Sequence, residues 1–171
     1  MTRFLKLLAL AGCAAMVITA VPAEAASPAS ATLSKAHRTA SWSGADATLS
    51  SIVFDPIGIG NDCNLLGDPF CDHFFLKIDL GEGAKIQLQI KGDDPATGGT
   101  KPYNDFDVYI YAPGPAAAPI ATGTTDKGNE TVTFTHRARW RKQNYDIAVR
   151  PWLVTPGSSY KGSVKAITLG K

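Results

Sequence analysis

The feature that most constrains this chain is its alternation. From Arg38 onward, apolar and polar residues exchange every second position in short runs bounded by Gly, Pro, Asn or Asp, and no stretch sustains a helical period. Successive side chains of a strand point to opposite faces, so such runs build sheets with one dry face and one wet face. In His73 to Leu80, Phe74, Leu76, Ile78 and Leu80 share a face; in Ala84 to Lys91, Ile86, Leu88 and Ile90 oppose Lys85, Gln87, Gln89 and Lys91. The link Gly81-Glu82-Gly83 suits a hairpin between these two runs. Asp105 to Tyr111, Glu130 to Thr135 and Asn144 to Arg150 repeat the pattern, and weaker runs cover Thr39 to Ser43, Thr48 to Phe54, Ile120 to Gly123 and Tyr160 to Leu169. Eight or nine strands at this spacing predict an all-β fold, an antiparallel β-sandwich of jelly-roll type.

The start of the chain follows another logic. Arg3 and Lys6 precede an apolar stretch from Leu7 to Val21, and Ala23-Glu24-Ala25 is an A-x-A cleavage site, so residues 1–25 are expected to be a signal peptide. Two alternatives stay open. Leu10-Ala11-Gly12-Cys13 resembles a lipobox, which would anchor the chain in an envelope membrane through a lipid on Cys13. An uncleaved anchor is disfavoured, because the apolar run is shorter than the roughly 20 residues that a spanning helix needs. The expectation is therefore a secreted protein, extracellular or periplasmic, with no membrane span in its mature form. Residues 26–36, rich in Ala and Ser, are expected to be a flexible lead-in, and residues 37–171 one sandwich domain.

Export bears on the cysteines. Apart from Cys13, only Cys63 and Cys71 remain, an even pair for an oxidising compartment, and a Cys63–Cys71 bridge would staple the turn at Gly67-Asp68-Pro69. As a zinc site the pair is poor, with His73 alone in reach.

A formal net charge of +2 and a pI near 8.4 argue against a nucleic-acid partner. The obvious catalytic arrangements are missing too: no G-x-S-x-G, no H-E-x-x-H and no phosphate-binding loop. No catalytic residue is assigned and the chain is expected not to be an enzyme; a small secreted hydrolase or a protease inhibitor on the same scaffold is the alternative.

The richest strand is Asn104 to Tyr111. Alternation sends Asp105, Asp107, Tyr109 and Tyr111 to the face opposite Phe106, Val108 and Ile110. That row has three readings. It supplies oxygens for calcium, with Asp93, Asp94 and Asn104 completing a metal site; it presents rings and acceptors to a polysaccharide or matrix protein; or its carboxylates tie loop backbone while its tyrosines pack on cross-strand neighbours. A second candidate contact is the basic segment His136 to Gln143, where Arg139 and Trp140 face an acidic glycan or envelope surface, or else form a solvated turn with Trp140 folded back on the sandwich.

Several of these strands together resemble the bacterial pre-peptidase C-terminal (PPC) domain family. The resemblance rests on His37 to Gly44, Cys71 to Ile78, Asn104 to Tyr111, Glu130 to Phe134 and Tyr145 to Arg150, of which the D-x-D followed by alternating aromatic and aliphatic residues is the most specific. It implies a non-catalytic jelly-roll sandwich that serves as an accessory or binding module, with calcium and extracellular polysaccharide or matrix protein as ligands in some members. It departs from the family at His136 to Gln143, where many members have a Gly-containing turn. A monomer is expected.

Overall fold

Among the described residues, nine strands carry the alternation into structure. The computed structural model describes residues 26–47, 63, 71–93, 104–113, 118–125, 128–155 and 157–168. The strands are β1 (Ser30–Ser34), β2 (Thr39–Ala47), β3 (Asp72–Asp79), β4 (Ala84–Asp93), β5 (Asp105–Tyr111), β6 (Ala121–Gly123), β7 (Asn129–His136), β8 (Gln143–Leu153) and β9 (Ser158–Thr168). They form a five-stranded sheet in the order β1-β3-β8-β5-β6 and a four-stranded sheet in the order β2-β9-β4-β7. Setting β1 aside, one sheet holds the first, eighth, third and sixth strands and the other the second, seventh, fourth and fifth, which is jelly-roll connectivity. Among the described residues no helix is long and apolar enough to cross a membrane.

The dry faces meet as expected. Phe74, Leu76, Ile78, Phe106, Ile110, Tyr145 and Ile147 of one sheet pack against Ile86, Leu88, Ile90, Val132, Phe134 and Val164 of the other. Each large side chain removed from water in this way stabilises the fold by about 1.5–3 kcal/mol. Trp42 of β2 stacks on Phe74 of β3, with ring centroids 4.0 Å apart and planes within 5°. Trp42 lies opposite Gly162 of β9, and a Cβ on Gly162 would run into the indole. Only the absence of a side chain there lets the tryptophan lie across the strand.

Three expectations are corrected. The lead-in is not flexible throughout, because Ser30–Ser34 pairs in parallel with Phe75–Asp79 and buries Leu33 completely. The sheet edge offers free backbone groups and Leu33 a place in the core, and together these hold a segment whose composition is otherwise undistinguished. That pairing is also the one departure from antiparallel order among the described strands. Finally, Gly81-Glu82-Gly83 does not close a hairpin: β3 and β4 lie in different sheets, so the link, with Gly81 at φ 68°, carries the chain across the sandwich. Glu82 is held there by Arg38 at 3.1 Å. The expected strand at 48–54 falls outside the described residues.

Candidate functional site

Strand β5 keeps its two-sidedness, but its outward side is not exposed. Asp107, Tyr109 and Tyr111 retain only 7%, 8% and 4% of their accessible surface. Register explains why. Tyr109 lies opposite Ala148 of β8, which lies opposite His73 of β3, so a small residue sits between larger ones. The two tyrosines, Ala148 and the Cys63–Cys71 disulfide form a second apolar cluster. The bridge joins Cα atoms 5.7 Å apart. Tyr109 and Tyr111 are therefore packed under this cap and do not present open rings to a ligand, which corrects that reading of the row.

Charges are folded into the same face. Asp107 lies opposite Arg150, and Tyr109 donates its hydroxyl to Asp107 Oδ2 at 3.2 Å. Burial pushes the Asp107 carboxyl up to about 6 against the pull of Tyr109 and Arg150, with Glu130 adding to the rise. Burial, then Asp107, pushes the Tyr109 phenol up to about 12. The buried Arg150 guanidinium lies 4.8 Å from the Trp152 ring centre. Beside them, His73 Nδ1 sits 3.0 Å from both Asp146 oxygens. A hydrolase would use such a pair, but His73 Nε2 is buried and closed to a substrate.

Of the five expected calcium ligands, Asn104 and Asp93 are engaged in hydrogen bonds that tie neighbouring segments together. Asn104, almost fully buried, donates Nδ2 to the Asp93 carbonyl and accepts at Oδ1 from Thr155 N–H at 3.0 Å. Asp93 Oδ2 accepts from Ser159 Oγ at 3.4 Å. Asp105 stands half-buried at the start of β5, and Asp94 lies outside the described residues. Among the described residues no three His, Cys, Asp or Glu side chains converge where a metal would sit.

Arg139 and Trp140 meet each other and not the β5 row. The Arg137 and Arg139 guanidinium groups lie 5.5 and 5.3 Å from the Trp140 ring centre, and Trp140 N–H donates to the Arg137 carbonyl at 2.9 Å. Lys142 pairs with Asp79 at 3.1 Å. Most of this basic segment thus serves the turn between β7 and β8. Just before it, His136 is wholly buried, with Nδ1 3.1 Å from the Tyr145 hydroxyl. Burial lowers its pKa and holds the imidazole neutral, while Tyr145 is pushed up to about 12. Its inward position follows the alternation that places Val132 and Phe134, a signal available in the sequence.

The outer face of the four-stranded sheet was not assembled by sequence reasoning. Lys85, Gln87, Gln89 and Lys91 of β4 lie beside Lys161, Ser163 and Lys165 of β9, with Thr131, Thr133 and Thr135 of β7 on one flank and Thr39, Ser41 and Ser43 of β2 on the other. All but Gln87 are exposed. Lys91 stands opposite Lys161, and Lys165 opposite Gln87, one step diagonally from Lys85. None of the four lysines forms an ion pair with a described residue. Asp93, occupied with Ser159, lies at the rim of this face. The signal was present in the alternation of both strands, but the register that unites them was not.

By fold this is a two-sheet β-sandwich of jelly-roll connectivity. Among solved structures, the chain is similar to the pre-peptidase C-terminal domain of a collagenase from Bacillus anthracis, with a TM-score of 0.47 and 11% identity over 80% of this chain and 94% of that one. This neighbour belongs to the family that the strand motifs resemble. No protein-family model matches the chain, and no curated protein matches it.

Proposed function

We propose that the chain is a secreted, non-catalytic accessory module that holds an acidic extracellular polysaccharide along the outer face of its four-stranded sheet. The observation that carries this reading is the pairing of exposed lysines, none in an ion pair with a described residue, on a hydroxyl- and amide-rich surface. Lys91 and Lys161 are direct cross-strand neighbours, an arrangement that costs stability unless an anion lies between them. Lys165 is four residues further along β9, about 14 Å away, with Lys85 diagonal to it. Two cationic rungs at that spacing, joined by Gln, Ser and Thr side chains, match a chain of anionic sugars whose hydroxyls need partners between the charges. Export, which the polymer requires, is supported by the leader pattern of residues 1–25.

The test is retention of the purified protein on dextran sulfate and alginate, with uncharged dextran as control, for wild type and for the pairs Lys91→Gln/Lys161→Gln and Lys85→Gln/Lys165→Gln. Binding to a sulfated or carboxylated polymer should weaken at least about tenfold in each double variant and fade as salt rises, because exposed charges are screened. Melting temperatures should not fall, since like-charge repulsion is relieved. Equal binding by variants and wild type, or equal binding to dextran, contradicts the proposal. Equal retention on poly-glutamate contradicts the glycan, and binding to collagen alone replaces it with a matrix protein.

A further inference from the structure

Ala26 follows the A-x-A motif directly, and its surroundings are unusual for the first residue of an exported chain. It retains 3% of its accessible surface and belongs to the main core cluster. Its nitrogen lies 2.6 Å from Asp72 Oδ1. The other carboxylate oxygen accepts from the Tyr160 hydroxyl, so Asp72 of β3 links the start of the chain to β9 in the opposite sheet. Room for this junction comes from Gly44, where a Cβ would collide with both the Tyr160 ring and the Asp72 carboxylate. Ser27 fixes the approach, because its N–H donates to the Ser43 carbonyl at 2.8 Å and its carbonyl accepts from Ser43 N–H at 3.0 Å.

We propose that the bond between Ala25 and Ala26 is the maturation site, and that the amine freed there is a structural group, an α-ammonium sealed against Asp72. A signal peptidase adds water across the amide, leaving a carboxylate on Ala25 and an ammonium on Ala26. The N–H that was a neutral donor to Asp72 becomes a cation at the same place. Before cleavage Ala26 offers Asp72 only a neutral amide N–H, while burial raises the Asp72 carboxyl against hydrogen bonds from Tyr160 and Ala26 and the field of His73. A buried carboxylate with a cation in contact and its other oxygen hydrogen-bonded is the geometry in which such a pair is retained. Cleavage thereby completes the fold, and a terminus one residue to either side would misplace the charge.

The mass of the secreted protein should place its terminus at Ala26. Amine-reactive labelling of the native protein should leave Ala26 at least about tenfold less modified than in denaturant, which needs no mutation. A chain with one Gly added before Ala26 should melt about 5 °C lower, as expected from losing one to two kcal/mol in a domain of this size. In an Asp72→Asn background the added Gly should cost no more than about 1 °C, because the charge partner is gone. A different terminus, equal labelling of native and denatured protein, or the same loss in both backgrounds would overturn the proposal.

Discussion

Asp107 and His136 are buried titratable side chains whose protonation moves stability in opposite directions. Burial raises the Asp107 carboxyl from 3.8 to about 6, so the folded chain holds that proton more tightly than the unfolded one. The stability this supplies is complete below pH 3.8 and is lost as the pH rises through about 6. His136, lowered from 6.5 by burial, works the other way: the unfolded imidazole protonates first, and stability falls as the pH drops below 6.5. The two groups oppose each other, and a variant separates them. The melting temperature of Asp107→Asn, relative to wild type, should become more favourable from about pH 4 to about pH 7. A difference that is flat or falls with pH contradicts the assignment. Gly162 gives a steric counterpart at the same scale. In Gly162→Ala the new methyl displaces the Trp42 ring from its stack on Phe74, and a loss of about 3 kcal/mol is expected by chemical denaturation.

At the scale of elements, alternation was enough to find most strands because each has one face in the core, where a one-residue slip would turn Ile86, Leu88 and Ile90 into water. It was not enough to say which sheet a strand joins. Both β3–β4 and β7–β8 are consecutive and two-faced, yet each pair spans the sandwich, and the alternation reads the same for a hairpin as for a crossing. Strand β1 escaped notice because Ser30–Ser34 has a single large apolar residue, Leu33, and draws its order from the free edge of β3. The burial of Tyr109 and Tyr111 was invisible for a similar reason: their cover is the disulfide, and no local pattern tells which face a bridged loop caps. That cap is expected to matter for stability. Replacing Cys63 and Cys71 together by Ser should cost about 2–3 kcal/mol from the reopened loop, together with some packing on the tyrosines. A denaturation midpoint unchanged from wild type would show that the bridge contributes nothing.

For the whole molecule, the two outer faces divide the chemistry. One is the β5 side, where Asp107 engages Tyr109 and Arg150, and His73 engages Asp146, beneath or beside an apolar cap. The other is an exposed surface of lysine, glutamine and threonine on the four-stranded sheet. The modest charge of +2 hides this separation, because the lysines that share the second face come from β4 and β9, far apart in the chain. Binding should therefore be legible as a map. Backbone amide shifts followed by NMR during titration with alginate oligosaccharides should concentrate on Gln87, Gln89, Thr131, Thr133, Lys161 and Lys165. Shifts confined instead to Phe75, Asp146 and Trp152, on the five-stranded sheet, would contradict the proposed binding face.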